Sequence, residues 1–154
     1  MAGVTRDHQG WVLGRIGGAS VVVAPASALL GLLLVGSWLP LVRSSLGDHG
    51  WGVVIGVVVL TVIGVAVSVL VHELAHGLTG TLLGRRPVLY QLHLWGGRTT
   101  FGPATGWRPW KDALTCLAGP ATNLALWALL GWAYRSLDLP LGISFTLWAL
   151  TWIN

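Results

Sequence analysis

The sequence predicts a polytopic α-helical membrane protein with about four transmembrane helices and short β segments at the membrane surface. Of its 154 residues, 54% are hydrophobic and only 9% are charged, and the mean hydropathy is +0.73, whereas soluble domains carry about 25% charged residues. Uncharged stretches recur along the chain, and a bilayer crossing needs about 20 such residues. We therefore expect residues 1–154 to form a single membrane-embedded domain without a separate soluble domain.

The first uncharged stretch, Ala19 to Val42, is long enough to cross a bilayer. Pro25 divides it, so a second interpretation makes Val12 to Ala24 an extended segment and Ala26 to Val42 the helix. A cleavable signal peptide competes with both, because Ala26-Ser27-Ala28 contains the small residues of a cleavage site. The apolar run before that site is short for a signal peptide, which favours a membrane helix.

The second predicted helix runs from Trp51 to Gly84. Residues 51–71 carry no charge, and the apolar character continues around His72, Glu73 and His76. At 1.5 Å per residue this helix would be roughly 50 Å long. It must therefore tilt within the bilayer or protrude from it.

The remaining elements are a hairpin and two further helices. Alternation from Tyr90 to Leu94, followed by Gly96-Gly97 and then by Arg98 to Phe101, predicts a short β-hairpin. A third helix is predicted from Trp110 to Tyr134, and a fourth from about Leu139 to the end of the sequence.

Basic residues are concentrated on one side of the predicted membrane segments. Seven precede the first helix or lie between the second and third helices, against two in the other connections; the seven are Arg6, Arg15, Arg85, Arg86, Arg98, Arg108 and Lys111. The positive-inside rule places the N terminus and the 85–111 loop in the cytoplasm. The net charge of +4 is not clustered in one patch, so the expected partner is the lipid bilayer and not a nucleic acid.

His72 and His76 are four residues apart, so a helix places both side chains on one face, within reach of one metal ion. Neutral imidazole suits Zn²⁺, and a catalytic zinc site uses three protein ligands and leaves a fourth position for water. Glu73 follows the first histidine, where its carboxylate can accept a proton from that water. We therefore predict His72 and His76 as zinc ligands and Glu73 as the catalytic base; Co²⁺ or Mn²⁺ could bind the same ligands.

Ionisable residues inside an apolar helix are costly, at about 2.5 to 3.5 kcal/mol for each charged residue on insertion scales, and they usually mark function. The alternative to a metal site is a solvated helix end at which these three residues meet water. His8, His49 and His93 are predicted to be solvated or surface residues. The single cysteine, Cys116, cannot form an internal disulfide.

Over most of its length the chain resembles the site-2 protease family of intramembrane zinc metalloproteases. The resemblance rests on the motif from His72 to His76, on Gly14 to Gly18 before an extended stretch, on the Gly-rich hairpin, and on Ala118 to Asn123 in the next helix. It implies hydrolysis of a peptide bond in or near the transmembrane segment of a membrane protein, such as an anti-sigma factor or a membrane-tethered regulator. The composition suggests a bacterial cell membrane as the location.

Gly119 and Pro120 lie within the third predicted helix. Proline frees the carbonyl of Cys116 from its helical hydrogen bond, and glycine lets another backbone come close. The resemblance implies that Asn123, about one turn later, holds the substrate or the developing oxyanion, a role that suits an amide donor. The alternative is a kinked helix in which Asn123 bonds to a neighbouring helix.

The sequence departs from the family pattern at the third zinc ligand. The resemblance implies an aspartate in a Leu-Asp-Gly motif on a later helix, but the aspartates of this chain lie in predicted loops or helix ends; they are Asp7, Asp48, Asp112 and Asp138. We therefore expect the sequence to be truncated before this ligand. A protein of this length alone would then have a two-histidine site that binds zinc weakly and cleaves no substrate.

Two other classes of function stay open. One is a catalytically inactive scaffold or substrate-binding homologue that keeps the fold. The other is a small channel or transporter in which the His-Glu-His group relays protons or binds a metal in transit. An aspartate-bearing motif in the continuing reading frame would favour the protease. An intramembrane serine protease is disfavoured because the chain has no Gly-x-Ser-x-Gly segment.

Overall fold

A computed structural model of the chain describes residues 10–93 and 96–154. In this part of the chain four helices pack with a four-stranded sheet; the elements are β1 (Trp11–Ile16), β2 (Ala19–Val23), α1 (Ser27–Ser45), α2 (Trp51–Leu82), β3 (Pro87–His93), β4 (Gly96–Phe101), α3 (Pro109–Ser136) and α4 (Leu141–Ile153). The predictions that concern Arg6, Asp7, His8 and Leu94 lie outside the described residues.

The first uncharged stretch is divided between a strand and a helix. β1 and β2 form an antiparallel hairpin whose turn is Gly17-Gly18, and both glycines have positive φ values of 58° and 88°, a conformation that glycine adopts without strain. Helix α1 begins at Ser27, two residues after Pro25. The prediction of a single membrane crossing from Ala19 to Val42 is therefore wrong, because the valine-rich segment is extended and the proline precedes the helix. The division at Pro25 is confirmed.

Helix α2 is one continuous helix of 32 residues, as predicted, and ends two residues before Gly84. Three helices, α1, α2 and α3, are long enough and apolar enough to cross a membrane. Helix α4 is also apolar but has only 13 residues, about 20 Å at 1.5 Å per residue. The expected four crossings are thus matched by three helices of sufficient length and one shorter helix.

The predicted hairpin is confirmed as β3 and β4, but it belongs to a larger sheet with the strand order β1-β2-β3-β4. Strands β2 and β3 pair in parallel, with Ser20 opposite Leu89, a pairing that the sequence analysis did not predict. The sheet packs on the second half of α2, where buried Tyr90 and Val21 contact Leu70 and Leu74. The first half of α2 packs instead against α1 through a separate apolar cluster that includes Val42 and Val54.

Candidate metal centre

The three residues singled out in the sequence lie together on α2. One ligand atom from each of His72, Glu73 and His76 can be chosen so that all lie within 4.8 Å of one another. The two imidazole rings meet edge to face, with their centroids 4.8 Å apart. Glu73 is only 4% exposed, so this carboxylate lies inside the protein and not at a solvated helix end.

Helix α3 crosses α2 at Gly119, directly over the two histidines. A Cβ atom added to Gly119 would overlap the Nε2 atoms of both His72 and His76. The two Nε2 atoms therefore converge beneath a residue that has no side chain. This confirms the prediction that the histidines turn toward the helix containing Gly119 and Pro120.

The other ring nitrogen of each histidine is occupied by an oxygen acceptor from α3. His72 Nδ1 donates to Asn123 Oδ1 at 3.0 Å, and His76 Nδ1 donates to the carbonyl oxygen of Thr115 at 2.6 Å. With the proton on Nδ1, each neutral ring presents its Nε2 lone pair toward Gly119. Metal-binding histidines are commonly oriented by such a bond from their second nitrogen.

The edge strand β4 holds Glu73 from the opposite side. The Thr99 hydroxyl donates to Glu73 Oε2 at 2.6 Å and lies 3.0 Å from the Glu73 carbonyl oxygen. A Cβ atom at Gly97 would overlap the Glu73 side chain. Residues two apart on a strand share a face, so Gly97 provides the space for the carboxylate and Thr99 provides its hydrogen bond.

Tyr90 lies beside this carboxylate, in the register position opposite Thr99. Burial raises the pKa of the Tyr90 phenol above its ordinary value of 10.0, and the negative charge of Glu73 raises it further. Tyr90 is therefore neutral at physiological pH. Sequence analysis assigned it no chemistry.

Cavities open on two sides of the cluster. One of about 330 Å³ lies between α2, β4 and α3, where Thr99 and Cys116 line it together with both histidines. Another of about 300 Å³ is lined by His72, Glu73 and Asn123 and by Asn154 at the end of α4. Asn154 Nδ2 donates to Ser68 Oγ at 3.1 Å. The cluster is thus bordered by a cavity on each of two sides.

Sequence analysis missed Thr115, Thr99, Gly97 and Asn154. Thr115 had a local signal, because it lies four residues before Gly119 and hence on the same face of α3. The others had none, since their place near Glu73 depends on how β4 and α4 pack against α2. For Asn123 the observed bond to His72 is the contact with a neighbouring helix that the second interpretation predicted, while the role with substrate or oxyanion stays a prediction.

The donor set fits a divalent metal. Two imidazole nitrogens with free lone pairs and one nearby carboxylate are ligands that zinc accepts. Within residues 10–93 and 96–154 no aspartate joins the cluster. Asp112 is 58% exposed and lies 3.7 Å from Arg85, so it belongs to the protein surface. The described residues thus provide two histidines and a carboxylate but not the expected aspartate ligand.

Comparison of the chain with models of known protein families, with curated proteins and with solved structures found no match. The geometry of the cluster and the motifs in the sequence therefore carry the information about function.

Proposed function

We propose that the chain is the metal-binding part of an intramembrane zinc metalloprotease of the site-2 protease type. Its substrate would be a membrane-spanning protein, such as an anti-sigma factor or a membrane-tethered regulator, cut in or near its transmembrane segment. The observation that carries this proposal is the convergence of two imidazole Nε2 atoms at Gly119, with the Glu73 carboxylate beside them. Similar spacing of two histidines and a glutamate serves zinc-dependent hydrolysis of peptide bonds in metalloproteases.

Zinc would be held by His72 and His76 and, when bound, would polarise the scissile carbonyl and acidify a water molecule. Glu73 accepts the proton of the attacking water and delivers it to the departing amide nitrogen as the peptide bond breaks. Asn123 and the Thr115 carbonyl keep both rings in the tautomer that leaves Nε2 free. Thr99 orients the carboxylate from the other side.

Strand β4 offers a place for the substrate backbone to bind. It forms one edge of the sheet, and its residues Gly97 and Thr99 contact the carboxylate of Glu73. An unwound substrate segment that adds to this edge would lie beside the base. Such pairing uses main-chain hydrogen bonds. The strand edge would therefore select substrates by backbone conformation more than by side-chain sequence.

The proposal includes a position for the site in the membrane. At 1.5 Å per residue, His76 and His72 lie about 12 and 18 Å from Gly84 along the helix axis. With residues 85–111 in the cytoplasm, the site would lie in the cytoplasmic half of the bilayer, and water would reach it from the hairpin side.

In a Cys116→Ser background, a cysteine at Thr99 should react with an impermeant reagent only from the cytoplasmic side. Labelling only from the outside would reverse this topology.

The activity test uses a version of the chain extended to supply a carboxylate ligand, reconstituted with a membrane-spanning substrate. Glu73→Gln should retain zinc and abolish cleavage, because an amide cannot accept the proton of the water. His72→Ala should lose both zinc and cleavage. His49→Ala is the matched control, since His49 lies outside the metal cluster, and it should change neither. Full proteolysis by the Glu73→Gln variant would show that Glu73 is not the base.

A second candidate function is a metal-binding homologue without protease activity. It requires only the two histidines and the carboxylate that the described residues bring together. In that case the extended version would bind zinc through His72 and His76 but cleave no membrane substrate. A transport role would instead give zinc-dependent or proton-dependent flux in sealed liposomes, and that flux would be lost in His76→Ala.

A further inference from the structure

A separate groove of about 590 Å³ lies on a different face of α2. Its walls come from α2, from the turn between β1 and β2, from the start of β3 and from Thr122 on α3. It shares no lining residue with the two cavities beside the metal cluster. The volume falls in the range of about 300–1,000 Å³ that is usual for sites of small-molecule ligands.

The groove is amphipathic. Along α2 its wall is apolar, and it is formed by Val71, Leu74 and Leu78. At one end lies Arg86, an exposed residue whose guanidinium has no ion pair or hydrogen bond with residues 10–93 or 96–154. The neighbouring Arg85 differs, because it donates to the Gly102 carbonyl at 3.0 Å and lies over the Phe101 ring. Arg86 is thus the basic residue of this pair that is free to meet an external anion.

A hydroxyl donor from a largely buried residue also reaches the groove. Tyr90 is only 3% exposed and lines the groove, where its hydroxyl lies against Gly77. This hydroxyl has no hydrogen-bond partner in the described part of the chain. A phenol keeps its proton at neutral pH and can donate to an oxygen acceptor. The hydroxyl is therefore available from the groove to a ligand that supplies an oxygen acceptor.

We propose that this groove binds one anionic phospholipid, with an acyl chain along the apolar face of α2, its phosphate at Arg86 and an ester oxygen at the Tyr90 hydroxyl. Charge complementarity supports this ligand, since the described groove has a free cation at one end and no carboxylate among its lining residues. The groove also follows a helix that is long enough and apolar enough to cross a membrane. A helix that crosses a membrane is surrounded by lipid acyl chains.

The test is native mass spectrometry of the full chain, released from detergent after incubation with equal amounts of phosphatidylglycerol and phosphatidylcholine carrying identical acyl chains. The wild type should retain one phosphatidylglycerol in preference to phosphatidylcholine by about fivefold or more, the factor expected from one basic residue near a lipid headgroup. Arg86→Gln should bring this preference close to one, and Arg86→Lys should keep most of it. Tyr90→Phe should weaken retention of both lipids by a smaller factor.

Arg108→Gln is the matched control, because it removes one positive charge from the same 85–111 segment without touching the groove. It should keep the wild-type preference. An equal loss in Arg108→Gln and Arg86→Gln would mean a general effect of surface charge and would overturn the proposal.

Leu78→Trp, at an exposed position in the groove, tests the acyl-chain site without changing the charge. It should release both lipids, and unchanged retention would contradict the proposal even if Arg86→Gln failed to fold.

Soluble glycerol phosphate should not compete with phosphatidylglycerol. Competition at similar concentration would show an anion site that does not use the acyl chain, which would also overturn the lipid assignment. None of these measurements requires zinc or proteolysis, so they stand apart from the proposed protease activity.

Discussion

Helices α3 and α4 each approach α2 closely at a glycine, and the two contacts differ in their chemistry. At Gly119 of α3 the space above the glycine is filled by the imidazoles of α2, whereas at Gly64 of α2 it is filled by the side chain of Leu150 from α4. Small residues allow helices to approach in both places. The apolar contact requires only matching volume. The polar contact also requires an acceptor for each partly buried ring, and these come from Asn123 and Thr115.

The largest effect is expected from a side chain at the polar contact. Gly119→Val would place atoms where the Nε2 atoms of His72 and His76 now lie, so neither ring could present its lone pair to a metal. Zinc affinity should fall by more than the roughly 100-fold that marks the upper range for substitutions around metal ligands. Competition with a chromophoric chelator measures this. Zinc binding equal to the wild type would mean that the metal does not bind at the α2–α3 contact.

The acceptors at the polar contact should have an intermediate effect. Asn123→Ala removes the oxygen that receives the proton of His72 Nδ1, so zinc affinity should fall by about 10- to 100-fold, as for other outer partners of metal ligands. Asn123→Asp keeps an oxygen acceptor and should retain most of the affinity. If both variants lost zinc equally, an oxygen acceptor at position 123 would not be sufficient to orient His72 for the metal.

The apolar contact should respond through stability and not through zinc. Gly64→Ala places a methyl group against Leu150, and overpacking of this kind costs about 1–3 kcal/mol. Leu150→Ala, added to the same chain, should recover part of the loss, because the two changes share one space. Denaturant unfolding in micelles measures the free energies, and chelator competition measures zinc. A loss of zinc in Gly64→Ala comparable to that in Gly119→Val would remove the distinction between the two contacts.

The sequence predicts the local part of this arrangement well. The continuous α2 helix, the β3–β4 hairpin and the facing of His72 and His76 toward Gly119 all follow from periodicity, glycine and proline positions and the cost of polar groups in an apolar environment. The division of the first apolar stretch was left open, because its length fits a crossing while Pro25 and the valines fit a strand. The structure resolves it in favour of the strand.

What the sequence does not predict depends on contacts between distant segments. The parallel pairing of β2 with β3 joins residues 69 positions apart in the chain, such as Ser20 and Leu89, and no local pattern specifies it. The hydrogen bond from Thr99 to Glu73 depends on this sheet, since β4 reaches α2 only when the sheet packs there. The catalytic carboxylate of the proposed mechanism was therefore identified from its motif, but its partners were not.

The smallest expected effect concerns the influence of the Glu73 charge on the pKa of Tyr90. Burial and, secondarily, the charge of Glu73 raise the pKa of Tyr90 above 10.0, and the chain's other tyrosine is Tyr134. Following tyrosinate absorbance with pH should give a Tyr90 component above the pH at which free tyrosine ionises. Glu73→Gln should lower the pKa of Tyr90 but leave it raised, because burial remains. Gly64→Ala should leave it unchanged.

The same shift predicts how stability depends on pH. The folded protein favours neutral Tyr90, so this contribution to the free energy of unfolding is fully present below the unfolded pKa of about 10 and is lost as the pH rises through the higher folded pKa. Above about pH 10 the wild type should therefore lose stability more steeply than Tyr90→Phe, which has no phenol to ionise. Identical pH dependence of the two proteins would show that the pKa of Tyr90 is not raised in the folded protein.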